Sequence, residues 1–171
     1  LQLFEMQNGF YPDNAAYEIA LTEDVIFLDI AATVGRDMLV VFYAGSAVQL
    51  DPRTGATRHL IQFSSIYNAP VDQKIPKLDM VRDLNGDNLD DFIIPGFKGY
   101  EVYIQNHDGT FGNGISLNAP PIMDISFRDN PWYQARKIYH ADVTNDGRAD
   151  LVFWVVDKFM VYQQLADGTF T

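Results

Sequence analysis

The chain has 171 residues, of which 47% are hydrophobic and 13% aromatic, so it is long and apolar enough to fold around a core of its own. Its 12 Lys and Arg residues stand against 23 Asp and Glu residues, and the net charge of −11 argues against a nucleic-acid ligand and against an anionic membrane surface. It has no cysteine, which excludes disulfides and thiolate chemistry, and no apolar run of about 18 residues that could insert into a membrane.

The first 20 residues predict the end of a repeat unit. A strand from Leu1 to Gln7 leads into the turn Asn8-Gly9-Phe10, and the same order of strand and turn recurs twice later in the chain. The chain begins at Leu1 with no methionine and no signal-peptide pattern, so we expect it to be a piece of a longer protein.

Residues 21–65 predict a complete unit with an eroded acidic loop. Asp29 and Asp37 stand where the later units carry the first and last aspartates of a nine-residue loop. The ligand positions between them are occupied by Ala31 and Thr33, which leaves too few oxygens for a cation. We therefore predict that this unit keeps the strands and turns of the repeat and binds no metal.

Residues 76–119 predict the best-defined unit, and its acidic loop spans residues 83–91. An alternating segment leads into Asp108-Gly109, a strong signal for a β-hairpin. No long segment of the chain has the apolar spacing of a helix. The four strands predicted for this unit are residues 77–82, 92–95, 100–105 and 115–118.

Residues 120–134 are an insertion between two units, with the adjacent aromatic residues Trp132 and Tyr133 near its end. On a connecting loop these side chains could form a patch for a ligand or partner. The alternative is that they plug the gap between neighbouring units, and the sequence favours this second interpretation.

Residues 135–171 predict a truncated third unit with the acidic loop 142–150. Asp142, Val161 and Asp167 follow Asp83, Val102 and Asp108 at one fixed offset, so the two units are copies. The predicted strands are residues 137–141, 151–156 and 159–164, and Trp154 is expected in the core. Units of four short strands predict an all-β fold of antiparallel propeller blades, with about three blades in this chain.

The two acidic loops predict metal sites, because each carries an oxygen-bearing side chain at positions 1, 3, 5 and 9. A tight loop with this spacing can turn its oxygens toward one hard cation, and Asn88 and Gly147 at position 6 tolerate the left-handed backbone that such a loop needs. We predict two Ca²⁺ sites, with a backbone carbonyl from position 7. The ligands are Asp83, Asn85, Asp87, Leu89 and Asp91 in the first loop, and Asp142, Thr144, Asp146, Arg148 and Asp150 in the second.

The acidic loops have other possible interpretations. An EF-hand needs a glutamate at position 12, where this chain has Ile94 and Phe153. Mg²⁺ seldom uses all-protein ligand sets, and Zn²⁺ prefers His or Cys. Turns rich in Asp, Asn and Gly without any metal remain the alternative.

Catalytic constellations are not evident in the sequence. The three histidines, His59, His107 and His140, are scattered and share no ligand or triad spacing. The adjacent carboxylates Asp90 and Asp91 could suggest acid–base catalysis, but membership of the acidic loop explains them better, with Asp90 directed away from the loop centre.

The run from Asp83 to Phe92, followed downstream by the Asp-Gly-Thr-Phe turn, resembles the FG-GAP/VCBS repeat of integrin-alpha-like β-propellers. The chain lacks the Phe-Gly and Gly-Ala-Pro signature of integrins and is more similar to the bacterial-type branch. The resemblance implies a Ca²⁺ loop between the first two strands of a blade and a ring of about seven blades. Residues 1–171 would then be a single partial propeller, or open arc, completed by the remaining blades of its parent protein.

The leading interpretation is a non-enzymatic, calcium-binding module of an extracellular, cell-surface or periplasmic protein, which mediates adhesion through a protein or glycan ligand. Two alternatives stay open. The module could belong to a polysaccharide-degrading lyase, since some lyases resemble this repeat architecture. It could also be a segment of a large bacterial toxin or Rhs-like shell.

Overall fold

The computed structural model describes residues 1–21, 25–64, 79–96, 98–119, 138–155 and 157–171, together with the backbone of residues 123–124 and 132–133. These residues form fifteen strands, and no helix that could span a membrane occurs among them. The strands are β1 (Gln2–Leu3), β2 (Tyr17–Glu18), β3 (Phe27–Thr33), β4 (Arg36–Phe42), β5 (Ser46–Leu50), β6 (Thr57–Gln62), β7 (Val81–Arg82), β8 (Asp91–Gly96), β9 (Gly99–Tyr103), β10 (Ile115–Leu117), β11 (Met123–Asp124), β12 (Trp132–Tyr133), β13 (Ile138–Ala141), β14 (Asp150–Val155) and β15 (Lys158–Tyr162).

Three larger antiparallel sheets follow one another along the chain, in addition to the two-stranded pairs β1-β2 and β11-β12. The first sheet has the order β3-β4-β5-β6 and the second β7-β8-β9-β10, while the third contains β13-β14-β15. In each sheet, neighbours in sequence are neighbours in space, as in the blades of a propeller. The prediction of an all-β fold built from four-stranded antiparallel sheets is confirmed as a partial propeller whose sheets do not close into a ring within the described residues.

The predicted Asp-Gly hairpins are confirmed in both later units. After β9 the chain turns through Asp108-Gly109, with φ of 78° at the glycine, and an isolated bridge joins Gln105 to Phe111. After β15 the same turn at Gly168 precedes a bridge between Gln164 and Phe170. Only a residue that tolerates the left-handed region can occupy these positions, which explains the glycine in both copies.

The sheets pack face to face, and each shared face is apolar. Phe42 of the first sheet meets Phe92 of the second edge-on, with ring centroids 5.1 Å apart. On the opposite face of the second sheet, Tyr100 lies 4.9 Å from Phe153 of the third. The far face of the first sheet packs against Leu1 and neighbouring residues of the N-terminal segment. The core is therefore a series of interfaces between successive sheets.

In the eroded unit, the segment from Asp29 to Asp37 is a β-hairpin and not an acidic loop. Asp29 and Asp37 lie within β3 and β4, which pair without interruption up to Thr33 and Arg36 around a two-residue turn that contains Gly35. Asp37 is exposed, whereas the last aspartate of each later loop is fully buried. Without oxygens at the middle positions to organise a loop, the strands continue as an ordinary hairpin.

The prediction that Trp154 lies in the core is wrong. Its side chain is 58% exposed, and its neighbour Phe153 is the residue packed between the second and third sheets. Successive side chains of a strand point to opposite faces, so β14 can bury only one of these two rings against the second sheet. The side chains of Trp132 and Tyr133, and most of the insertion 120–134, lie outside the described residues.

Candidate metal-binding loops

Each acidic loop joins the first and second strands of its sheet. Loop 83–91 leads from β7 into β8, and loop 142–150 leads from β13 into β14. Their position 6 has the predicted left-handed backbone, with φ of 65° at Asn88 and 86° at Gly147. Position 4 is left-handed as well, at Gly86 and Asn145, which the sequence analysis did not anticipate. Asn and Gly are exchanged between the two loops, because both tolerate this backbone conformation.

The carboxylate at position 1 holds each loop in its curled shape. Asp83 accepts hydrogen bonds from the backbone N–H groups of Gly86 at 2.7 Å and Asn88 at 2.8 Å. Asp142 accepts N–H bonds from Asp146, at position 5, at 3.1 Å and from Gly147, at position 6, at 2.9 Å. The first aspartate of the motif therefore has a folding role whether or not a cation binds.

The carboxylate at position 9 ties the loop to its sheet. Asp91 accepts N–H bonds from Leu84 at 2.9 Å and from Gln105 at 2.8 Å, and its side chain is fully buried. Asp150, also fully buried, accepts equivalent bonds from Val143 and Gln164. These paired contacts hold the start of the loop against the end of the third strand in both units.

The two buried carboxyls differ in acidity. The pKa of Asp91 is raised to about 7, chiefly by burial and to a smaller extent by the nearby carboxylates of Asp87 and Asp83, against the lowering effect of its two N–H bonds. Burial also raises the pKa of Asp150, but its hydrogen bonds outweigh this effect and the net pKa is lowered. One of those bonds comes from the Thr144 hydroxyl at 3.1 Å.

Position 5 separates the loops more clearly. In the first loop, Asp87 accepts bonds from the Leu89 N–H at 2.8 Å and from the Asn85 side-chain amide at 3.1 Å. In the second loop, Asp146 accepts bonds from the Arg148 guanidinium at 2.5 Å and from the Gln163 amide at 2.9 Å, and these partners, Gln163 foremost, lower its pKa. The second loop thus contains a cation of its own.

The candidate metal-ligand atoms in both loops are oxygens, which are the ligand atoms that Ca²⁺ prefers. Among the described residues, no three His, Asp or Glu side chains are grouped closely enough to hold a metal ion. The loop carboxylates instead accept hydrogen bonds from backbone N–H groups. A carboxylate oxygen has more than one lone pair, so it can accept an N–H bond and coordinate a cation together. The first loop fits a cation better, since no guanidinium is bonded to its carboxylates in the described part of the chain.

The contacts that join one sheet to the next were not predicted from the sequence. Gln164, which is buried, donates from its side-chain amide to the Leu84 carbonyl at 2.7 Å, and a His140 ring nitrogen lies 3.0 Å from the same oxygen. Gln105 donates to the carbonyls of Ala32 and Asp90 at 3.1 and 2.7 Å. The sequence feature that could have predicted these contacts is the glutamine that precedes each Asp-Gly turn at the same spacing.

Asp90 also takes part in these joints. Its carboxylate accepts the Ala32 N–H at 2.7 Å, across the boundary between the second sheet and the first. This contact confirms that Asp90 points away from its own loop. The adjacent carboxylates Asp90 and Asp91 are therefore bonded to different parts of the fold.

Among solved structures, the chain is similar to one described as the structural basis of specific recognition of non-reducing terminal N-acetylglucosamine by an Agrocybe aegerita lectin. The identity is 23% and the TM-score 0.48, and the alignment covers 88% of this chain and 38% of that chain. No curated protein matches the chain.

The sequence from the first acidic loop to the strand after the second also matches a family model, that of the FG-GAP-like repeat. The matched region begins at Asp83 and ends at Phe153, so it includes both acidic loops and the strands β8, β9 and β10 of the second sheet. Over residues 83–153 the chain is therefore similar to the FG-GAP-like repeat family.

Proposed function

We propose that this chain is a calcium-stabilised, non-enzymatic β-propeller module that binds a protein or glycan ligand outside the cell, at its surface or in the periplasm. The observation that carries the calcium part is the loop 83–91, where the carboxylates of Asp83, Asp87 and Asp91 lie within one tight turn. No cationic side chain among the described residues is bonded to them. A divalent cation would offset their mutual repulsion.

Calcium in the first loop would act on more than the loop. The Leu84 carbonyl at position 2 accepts the Gln164 amide and lies beside His140, and both partners belong to the third sheet. A cation in this loop would be held by Asp83, Asn85, Asp87, Asp91 and the Leu89 carbonyl. It would thereby also fix the position of the Leu84 carbonyl. We therefore expect calcium to stabilise the interface between the second and third sheets.

The second loop is proposed as the weaker site. Its ligands would be Asp142, Thr144, Asp146, Asp150 and the Arg148 carbonyl. The Arg148 guanidinium is already bonded to Asp146, and a cation would have to displace it. Thr144 offers a neutral hydroxyl, which is a poorer calcium ligand than a carboxylate.

Calorimetric titration with CaCl₂ and melting curves with and without chelator test this proposal. At a calcium concentration of 100 times its Kd, each site should add about 2.7 kcal/mol to the unfolding free energy. Asp87→Ala should remove the tighter site and Asp146→Ala the weaker one. Asp37→Ala in the eroded unit is the matched control and should change neither. An unchanged melting temperature and no heat of binding would contradict the calcium proposal.

The absence of enzymatic activity is tested separately. A polysaccharide lyase produces an unsaturated, ultraviolet-absorbing end from an acidic polysaccharide, whereas a binding module shows saturable binding without turnover. We expect the chain, with calcium present, to leave the absorbance of alginate and pectate unchanged. A steady increase in absorbance would favour the lyase alternative.

A further inference from the structure

A recess of about 300 Å³ lies between the first sheet and the hairpin turn of the second sheet, and its lining includes none of the candidate calcium-ligating residues. Its lining is mostly polar and includes Arg36, Arg58 and His107, with Gln49 and Asp108 beside them. Its volume is at the lower end of the roughly 300–1,000 Å³ typical of small-molecule sites. A recess of this size and polarity suits a small hydrophilic group.

The strand register explains how the basic side chains come together. Arg36 and Met38 are two residues apart on β4, so they share a face of the first sheet. Gln49 lies opposite Val40 of β4, and Arg58 lies opposite Gln49, which places them on that face too. Met38 and Val40 belong to the core between the first and second sheets. The recess is thus the open end of that interface.

The turn of the second sheet completes the recess. His107, Asp108 and Gly109 form part of its wall, and they belong to the hairpin that follows β9. Asp108 uses one carboxylate oxygen to accept the Thr110 hydroxyl at 2.6 Å and the Thr110 N–H at 2.9 Å. That bonding orients the Asp108 carboxylate within the turn, and no ion pair joins it to Arg36 or Arg58 among the described contacts.

The guanidinium groups of Arg36 and Arg58 lack an ion-pair partner among the described residues, although the chain has a net charge of −11. Three other described arginines form ion pairs: Arg53 with Glu5, Arg82 with Asp79 and Arg148 with Asp146. Arg36 and Arg58 form none with a described carboxylate. Arg58 is instead oriented by a bond from its Nε to the Gln49 side-chain oxygen at 2.9 Å, which leaves its terminal nitrogens available.

We propose that this recess binds the carboxylate of an acidic sugar. Guanidinium groups present paired donors that match a carboxylate, and an adjacent carboxylate, amide and imidazole can bond the hydroxyls of a sugar ring. The Asp108 carboxylate on the wall disfavours a more highly charged ligand such as a phosphate. The inference deepens the proposed binding function and rests on it, but it does not involve calcium.

The test follows the backbone amide signals of the 171-residue chain by nuclear magnetic resonance during titration with methyl β-D-glucuronide. We expect saturable shifts centred on Arg36, Gln49, Arg58 and His107. Neutral methyl β-D-glucoside should bind at least about tenfold more weakly, because it lacks the carboxylate that the guanidinium groups bind. High salt should weaken glucuronide binding, because the site is open to solvent.

Variants separate the recess from the rest of the surface. Arg36→Gln and Arg58→Gln should each raise the Kd for the glucuronide about tenfold, and Arg58→Lys should recover part of the loss. Arg53→Gln, an exposed arginine paired with Glu5, is the matched control and should bind as the parent chain does. Thermal unfolding of each variant shows that it is folded.

Three results would overturn this inference. One is the absence of shifts at the recess, and another is unchanged binding by the Arg36→Gln, Arg58→Gln double variant. The third is displacement of the glucuronide by an equal concentration of inorganic phosphate. Repeating the titration in chelator separates the two proposals, because glucuronide binding at the recess should persist there. Persistent glucuronide binding by a chain that shows no heat of binding with CaCl₂ would refute the calcium role alone. Binding that maps elsewhere would refute only the recess.

Discussion

Asp150 shows how much of the repeat motif is needed for folding alone. Both of its carboxylate oxygens are occupied, one by the Gln164 N–H and the other by Val143 and by the backbone and hydroxyl of Thr144. Asp91 has the same two backbone partners in its own unit. An aspartate at position 9 of such a loop is therefore an internal anchor first, and any coordination of a cation is added to that role.

We predict that Asp150→Ala lowers the unfolding free energy by about 3 kcal/mol in calcium-free buffer, because it leaves several buried donors without an acceptor. Urea denaturation measures the change. Asp167→Ala, in an exposed turn, is the control and should cost much less. A loss below about 0.5 kcal/mol for Asp150→Ala would place it among ordinary surface substitutions and contradict the anchoring role.

The Asp-Gly turns make a residue-scale prediction about pH. The Thr110 hydroxyl, followed by the Thr110 N–H, holds the pKa of Asp108 below its ordinary 3.8, and Thr169 does the same for Asp167. A lowered pKa in the folded state means that the turn is stabilised above the ordinary pKa, and that this is lost as the pH falls through the lowered value.

We expect Thr110→Val to move the pKa of Asp108 up toward 3.8, because the variant removes the largest cause of the lowering. Carboxyl carbon shifts in a nuclear magnetic resonance titration measure both aspartates at once. Asp167 in the same variant is the internal control and should titrate as before. An unmoved Asp108 would show that the hydroxyl contact does not persist in solution.

At the scale of elements, the loops connect neighbouring sheets as well as neighbouring strands. Gln105 reaches back from the second sheet to the first, and Gln164 reaches back from the third sheet to the second. Each glutamine is nearly fully buried and lies just before the Asp-Gly turn of its unit. The order of the sheets is thus held by polar contacts at one end as well as by the apolar faces between them.

We predict that Gln164→Met lowers the unfolding free energy by about 1–2 kcal/mol, because the buried Leu84 carbonyl loses a donor while the volume is nearly kept. Hydrogen exchange should accelerate in the loop 83–91, to which Leu84 belongs, and less in the first sheet. Gln2→Met on the exposed strand β1 is the control. Uniformly faster exchange throughout the chain would indicate global destabilisation instead of a loosened joint.

At the scale of the whole molecule, the two ends of the series of sheets differ. The far face of the first sheet is covered by the N-terminal segment, whereas the far face of the third sheet carries the exposed residues Trp154, Phe159 and Val161. The ring centroids of Trp154 and Phe159 lie 6.5 Å apart across β14 and β15. The apolar side chains of β14 therefore lie on both faces of the third sheet, and the second sheet covers only one of these faces.

Two neighbouring rings on β14 test this arrangement. Phe153→Ala should cost about 3–5 kcal/mol of unfolding free energy, because it opens a cavity between the second and third sheets. Trp154→Ala, on the exposed face, should cost much less and should reduce the binding of a hydrophobic dye. Chemical denaturation measures both. Equal losses would contradict the assignment of the core to the Phe153 side.

The sequence alone determined the features that depend on local chemistry. Repeated spacing identified the units, alternation and Asp-Gly turns identified the strands, and Asn88 and Gly147 marked one of the two left-handed positions in each loop, because each of these is decided within a few residues of chain. The same local reasoning selected the candidate ligands, which the fold places in two loops of the same kind.

Only the tertiary structure decided which side of each strand is buried and what lies across each interface. The exposure of Trp154, the guanidinium of Arg148 against Asp146 and the glutamine contacts between sheets all depend on residues that are distant in sequence or on the choice of face. The recess that gathers Arg36, Arg58 and His107 has the same origin, since its walls come from two sheets. Packing between sheets, which a local pattern does not encode, positions these groups.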